Sequence, residues 1–195
     1  MDHKKSHYNF IQSDIAPLVL TINMLGENLT GLELGVYKGS SFMTLLHNCE
    51  NIKKLYGVDS WKPYADYLKD VPDGKPGYFV DEKESEFNKM LTNLHLKYGI
   101  PDHKEVVILE EDSLKAVEKI EDQSLDFIFF DAMMTEKQTY EEAMAYYPKI
   151  KKNGYFTGHD SNSIIQVIKP IEKVKNHYNN DNKLISYNNC FIFKI

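Results

Sequence analysis

Ten consecutive residues, Leu32-Glu33-Leu34-Gly35-Val36-Tyr37-Lys38-Gly39-Ser40-Ser41, restrict the fold of this chain more than any other stretch. They read as a short apolar strand, a turn with two glycines four apart, and the start of an amphipathic helix continuing through Phe42, Leu45 and Leu46. A strand that passes through a glycine turn into a helix is a ligand cradle. Gly35 and Gly39 bring backbone close to a bound group with no Cβ in the way. The helix start offers unpaired N–H groups and the positive end of a dipole to an anion. The spacing is Glu-x-Gly-x-x-x-Gly, not the Gly-x-Gly-x-x-Gly of dinucleotide enzymes. Such a turn also occurs as plain scaffold, so the rest of the chain has to decide between the two.

A length of 195 residues gives one domain with a substantial core and is short for two. Net charge is −6, and every formal positive charge is a lysine, because the chain has no arginine. Lys4-Lys5 and Lys151-Lys152 are pairs, not runs, which argues against a nucleic-acid partner, since that needs a clustered basic face. Cys49 and Cys190 stand far apart beside apolar segments, the pattern of two buried thiols in a reducing compartment. The first residues are polar, and no stretch approaches membrane-spanning length. These features predict a cytoplasmic protein with no membrane partner.

Taken in order, Ser13 or Asp14 is placed to cap a helix over roughly 14–25, with Pro17 early and Gly26 as the stop. A strand at about 31–35 and the helix of the glycine turn, to about Cys49, follow. Lys54-Leu55-Tyr56-Gly57-Val58-Asp59 is a second strand that ends in an acid, with Ser60 and Trp61 just beyond it. Over roughly 61–100 the chain becomes aromatic and turn-rich (Tyr64, Tyr67, Asp73-Gly74, Pro76-Gly77) and then gives a helix over roughly 81–98. A connection this long over a sheet edge reads as a lid or substrate wall, with a structural elaboration as the alternative. Val106-Val107-Ile108-Leu109 is a third strand, closed by Glu110, Glu111, Asp112 and Ser113. Leu125 to Phe130 is an apolar run ending in Asp131, the pattern of a strand buried on both faces.

A helix over roughly 136–149, a turn at Lys151-Lys152-Asn153-Gly154 and a strand at 155–158 then deliver His159-Asp160-Ser161-Asn162. A helix over roughly 166–178, containing Pro170, precedes two short strands at 184–187 and 191–194 that pair through Asn188-Asn189. Alternating strand and helix predict an α/β fold with a mostly parallel sheet, right-handed crossovers and an antiparallel C-terminal edge. In such a sheet, ligands bind beyond the carboxyl ends of the strands. Asp59 stands where a strand-end carboxylate takes both ribose hydroxyls of a nucleotide; the alternative is a turn-capping acid. Trp61 either walls an adenine or belongs to the core. Asp112 and Ser113 suit an adenine amino edge, and Ser113 equally suits a helix cap. Asp131, at the edge of a central strand, is a ligand-facing acid or the cap of the following turn.

These residues together resemble the class I S-adenosylmethionine-dependent methyltransferases over about residues 30–175. Glu33-x-Gly35-x-x-x-Gly39 looks like their first motif, and Gly57-Val58-Asp59-Ser60-Trp61 like the second strand with its ribose acid. Asp112-Ser113, Phe129-Phe130-Asp131, the Tyr140-Glu141 helix, Pro148-Lys149-Ile150 with Asn153-Gly154, and Gly158-His159-Asp160 continue the pattern. The resemblance implies a Rossmann-like, doubly wound domain over 1–195 and is greatest to the subgroup acting on small molecules, often by metal-assisted O-methylation. It implies that Glu33 and the turn of Gly35, Tyr37, Gly39, Ser40 and Ser41 hold the methionine part of the cofactor. Asp59 with Ser60 would take the ribose; Trp61, Asp112 and Ser113 would border the adenine; Asp131 would lie near the sulfonium.

Within this frame His159 is the general-base candidate, because an unperturbed imidazole titrates near neutrality. Asp131 and Asp160, with His159 or Asn162, are the candidate ligands for a divalent metal such as magnesium. The chain departs from the resemblance in two places. Related chains carry a His and a Tyr-Glu pair soon after the fourth-strand acid; here Met133, Met134, Thr135 and Glu136 intervene before Tyr140-Glu141 and the His is missing, and His159-Asp160 replaces Asp-Asp or Asp-Asn. The expected activity is methyl transfer to a hydroxyl of a small molecule. The alternatives are a cofactor-binding protein without transferase activity and a nicotinamide-dependent oxidoreductase, which the glycine spacing disfavours. A homodimer is the working assembly.

Overall fold

The computed structural model describes residues 14–61, 83–132 and 135–195. Ser13, residues 62–82 of the expected lid, and Met133-Met134 lie outside the described residues. One seven-stranded sheet carries the fold: β1 (Leu29–Leu34), β2 (Ile52–Asp59), β3 (Glu105–Glu110), β4 (Leu125–Phe130), β5 (Ile150–Gly158), β6 (Ile185–Tyr187) and β7 (Cys190–Lys194). Their order across the sheet is β3-β2-β1-β4-β5-β7-β6. The first five strands run parallel, and β7 enters antiparallel beside β5. This is the expected α/β, Rossmann-like, doubly wound fold with an antiparallel carboxyl-terminal edge.

Register fixes where the chemistry sits. Leu34 pairs with Val58 on one side and Phe130 on the other, while Val58 pairs with Leu109 and Phe130 with Gly158. The carboxyl ends of all five parallel strands therefore finish level. Gly35, Asp59, Asp131 and His159 emerge along one edge, on either side of the β1–β4 boundary where the strand order reverses.

β4 shows why the sheet is double-faced. Phe127 and Phe129 pack into a core with Leu45, Leu46, Ile15 and Ile22; Ile128 and Phe130 pack into another with Ala143, Tyr146 and Val174. Period-two alternation in an all-apolar strand fills both layers at once. Truncating Phe127 or Phe129 to Ala would cost about 3–5 kcal/mol.

The helices are α1 (Ala16–Asn23), α2 (Ser40–Asn48), α3 (Lys83–Thr92), α4 (Ser113–Ala116), α5 (Glu136–Tyr146) and α6 (Lys169–His177). A π turn over Asn93–Lys97 continues α3, and a 3₁₀ turn over Tyr147–Lys149, containing Pro148, ends α5. Another π turn, Ile164–Ile168, runs directly into α6, with Pro170 just beyond the change from π to α.

Two local expectations are corrected. α1 begins at Ala16 with Ile15 at its cap and no side-chain capping bond, so Asp14 is not the helix cap. Lys151-Lys152-Asn153-Gly154 is not a turn before the strand but lies within β5. Leu125 pairs with Ile150 and Phe127 with Tyr155, so two steps of β4 face five of β5. The turn chemistry is spent on a bulge, with Asn153 at φ 71°. The closing hairpin is as expected: Asn188 and Asn189 have φ 51° and 62°, the double left-handed pair of a type I′ turn. Among the described residues, no helix is long and apolar enough to cross a membrane.

Candidate functional site

The β1–α2 turn is built by close approach. Gly35 has φ 90°, and a Cβ there would stand 2.1 Å from the Asp131 carbonyl oxygen, so only glycine fits. The loops after β1 and β4 are thereby pressed together, with the Asp131 N–H donating to the Leu34 carbonyl at 2.8 Å. Gly39, at φ 79°, caps α2, whose first residue is Ser40. Asp59 ties this turn to the end of β2. Its Oδ2 accepts the Tyr37 N–H at 2.9 Å and its Oδ1 accepts the Trp61 N–H at 2.8 Å. The Trp61 indole donates to the Tyr37 carbonyl at 2.8 Å, closing the clamp around Ser60. Trp61 is buried. Each Asp59 oxygen keeps a second lone pair, which is what a ribose diol requires.

Behind the turn, Glu33 is fully buried on β1. The Ser41 hydroxyl donates to its Oε1, while Oε2 has no partner. Burial pushes its carboxyl well above the usual carboxylate range, against the lowering effect of Ser41. An orphaned carboxylate oxygen behind a glycine turn is the complement of an ammonium group. The residues present therefore fit the amino-acid end of S-adenosylmethionine.

On the other side, Asp112 caps α4 by accepting the Leu114 N–H on Oδ1 at 3.1 Å. The Ser113 hydroxyl does not point along this edge as a free group; it donates to Glu142 Oε1 on α5. Glu142 is a residue that sequence reasoning missed. Its signal is a carboxylate on the buried face of a helix, at i+3 from Thr139 and i−4 from Tyr146. Burial raises its carboxyl to about 7, against the lowering effects of Ser113 and Gln138.

The ends of β4 and β5 bring Asp131, His159 and Asp160 together, with one ligand atom of each lying within 4.8 Å of the others. His159 Nδ1 is 3.3 Å from Asp160 Oδ1 and 3.7 Å from Asp131 Oδ1. A second missed residue completes the cluster: Asp14 Oδ2 lies 3.1 Å from His159 Nε2. Local pattern marks Asp14 only as a helix cap, because its partner lies 145 positions along the chain. Asn162 follows two residues after Asp160, and its main-chain N–H donates to Asn189 Oδ1 at 3.1 Å.

The cluster is electrostatically strained. The Asp160 hydrogen bond raises the His159 ring to about 9 despite desolvation, so the imidazole is protonated at neutral pH in the ligand-free protein. The near-neutral value expected of an unperturbed ring is thus corrected. Burial lifts the Asp131 carboxyl to about 7, opposed by the His159 charge. His159 in turn holds Asp160 below the usual range.

Residues 32–161 match a family model described as a methyltransferase domain, more than half of the chain. No protein of curated function matches the sequence. Among solved structures the fold is similar to the O-methyltransferase NovP, with TM-score 0.59 at 15% identity over 95% of this chain and 77% of that one. It is also similar to precorrin 8W decarboxylase of Methanobacterium thermoautotrophicum, with TM-score 0.56 at 15% identity over 91% and 87%. MycE methyltransferase of the mycinamycin pathway, in complex with Mg and SAH, gives TM-score 0.50 at 13% identity over 86% and 45%. At these identities the structural likeness is one of fold. The family match is more than that: it runs from the glycine turn to the β5 edge, and on it the chain belongs to the class I S-adenosylmethionine-dependent methyltransferases.

Proposed function

We propose that this protein transfers the methyl group of S-adenosylmethionine to a hydroxyl oxygen of a small molecule. The observation that carries the reading is the Asp131–His159–Asp160 cluster beyond β4 and β5, one loop from the glycine turn. When bound, S-adenosylmethionine supplies a methyl carbon on a cationic sulfonium that loses its charge on transfer. Glu33 with the Gly35 to Ser41 turn holds the methionine part, Asp59 with Ser60 the ribose, and Asp112 the adenine, with Ser113 anchoring that loop from within and Trp61 buried behind the Asp59 turn.

The acidic cluster has a different task, which is to take the proton from the acceptor. With the cofactor bound, its sulfonium would supply the methyl group and keep the electron pair of the broken bond, and the acceptor's proton would pass to the Asp131–His159–Asp160 cluster. Asp131, lifted to about 7, is the group poised between states at neutral pH, and His159 exchanges protons with it. A divalent cation would be held by Asp131, His159 and Asp160 and would supply a lowered pKa to a coordinated hydroxyl. Two carboxylates with one imidazole suit manganese better than magnesium, which prefers oxygen alone. The O-methyltransferase NovP and the Mg-containing MycE complex support this reading.

The protonated state of His159 favours a second reading, in which the cofactor is bound without transfer. Calorimetric titration with S-adenosylmethionine, S-adenosylhomocysteine and NAD, with and without magnesium or manganese, tests the first step. Binding of the first two without NAD is the expected result, and absence of both reduces the glycine turn to scaffold. Turnover across a panel of hydroxylated small molecules then separates the enzyme from a binding protein.

A further inference from the structure

The loop after β3 is gripped from beneath by α5. Glu142 accepts hydrogen bonds from the Ser113 hydroxyl and from Gln138 Nε2, the latter at 2.9 Å. One turn further along the helix, the Tyr146 hydroxyl donates to the Ser113 main-chain oxygen at 2.8 Å. Ser113 is therefore held at its side chain and at its carbonyl by two residues of one helix.

The arrangement is unfavourable for packing alone. Glu142 is 1% exposed, its Oε2 has no partner, and Tyr146 is fully buried beside it. A leucine at position 142 would seal the same helix against the sheet without an unsatisfied oxygen. Two polar grips on one serine make sense if the position of that serine matters to something outside the core. The exposed side of the same loop carries Asp112, whose Oδ1 is committed to the Leu114 N–H and whose Oδ2 is not.

We infer that Glu142, assisted by Tyr146, is the positioning residue of the adenine subsite. It turns the Ser113 hydroxyl inward and fixes the loop so that Asp112, and not the Ser113 hydroxyl, faces the exocyclic amino group of the base. The inference rests on the S-adenosylmethionine reading of the site. It makes Glu142 a determinant of base selectivity without itself touching the ligand.

The test compares the affinity of the whole protein for S-adenosylhomocysteine with that for its 6-oxo (inosine) analogue, by calorimetry. The wild-type protein is expected to prefer the amino compound by at least about tenfold. Glu142→Gln keeps an oxygen acceptor for Ser113 and should hold that ratio to within about twofold, whereas Glu142→Ala should reduce it to about threefold or less. The ratio is taken within one variant, so a change in the fraction folded does not move it. An unchanged ratio in Glu142→Ala, or an equal loss in Glu142→Gln, overturns the inference. Should Glu142→Ala fail to fold, Ser113→Ala deletes the same bond from the other side; a preserved ratio there has the same overturning force. A wild-type protein that binds both analogues equally removes the selective subsite, and one that binds neither removes the underlying cofactor reading.

Discussion

Asp14 and His159 are 145 positions apart and meet at 3.1 Å, carboxylate Oδ2 to imidazole Nε2. The contact sets the far side of a ring whose Nδ1 faces Asp131 and Asp160. Asp14 is not the cap of α1, because the helix starts at Ala16 and the cap position falls on Ile15. Replacing Asp14 with Asn removes a negative charge that favours the imidazolium. The His159 ring should titrate below its value of about 9, and only a little below, because Asp160 and Asp131 remain. Following the ring by NMR across pH checks this, and an unmoved titration would show that Asp14 is electrostatically silent.

Stability should decline as pH rises through neutrality. Asp131 and Glu142 bind protons more tightly folded than unfolded, so their contribution is complete below about 4 and lost as pH passes about 7. His159 acts in the same direction over a higher window, from its unperturbed value of 6.5 to about 9. Asp160, held low, works the other way and only under acid conditions. Urea unfolding at pH 5 and pH 9 should differ by a few kcal/mol in favour of pH 5, after discounting for partial exposure. Glu142→Gln should narrow that gap, and a curve that is flat or rising towards pH 9 would contradict the assignment.

Gly35→Ala is expected to disable the ligand edge. The new methyl would stand 2.1 Å from the Asp131 carbonyl oxygen, and φ 90° is strained for any residue with a side chain. A loss of about 1–3 kcal/mol in stability should accompany a weakening of S-adenosylhomocysteine binding by more than about tenfold. Parallel calorimetry and unfolding on the purified variant would show it.

Asp59 carries two loads at once. Its carboxylate anchors the main chain of Tyr37 and Trp61 as well as standing at the ribose position. Asp59→Ala should therefore lower stability by about 1–3 kcal/mol, because two part-buried N–H groups lose their acceptor, in addition to weakening cofactor binding. Asp59→Asn, which keeps one oxygen acceptor, should recover part of the stability and less of the affinity. Equal recovery of both would mean that the carboxylate works only through the turn.

The parts of this molecule that a local pattern encodes were legible in the sequence. β4 is an apolar run with an acid at its end, and the Asn188-Asn189 hairpin and the Gly35–Gly39 turn each carry their backbone signature in the residues themselves. The strand ends then follow from register, which places Asp59, Asp131 and His159 on one edge. What local pattern cannot carry is a side chain whose partner is far along the chain. Asp14 looks like a helix cap and Glu142 like an ordinary helical acid until tertiary packing supplies His159 and Ser113. The β5 bulge failed for another reason: Asn153-Gly154 is a sound turn signal, and the fold uses it inside a strand.

The hairpin turn is a buttress of the acidic cluster. Asn188 Nδ2 donates to the Asp14 carbonyl at 3.0 Å, and Asn189 Nδ2 donates to Asp160 at 2.9 Å. The Asn189 carbonyl also accepts the Ser161 N–H at 3.0 Å. Both approaches to His159 are thus tethered to the Asn188-Asn189 turn between β6 and β7. Completing β1 to β5 leaves the cluster unfinished: His159 and Asp160 follow the last residue of β5, and the side chains that tether their surroundings come only with the turn between β6 and β7. The arrangement of the proton-handling groups thus depends on a hairpin to which no residue of the cluster belongs.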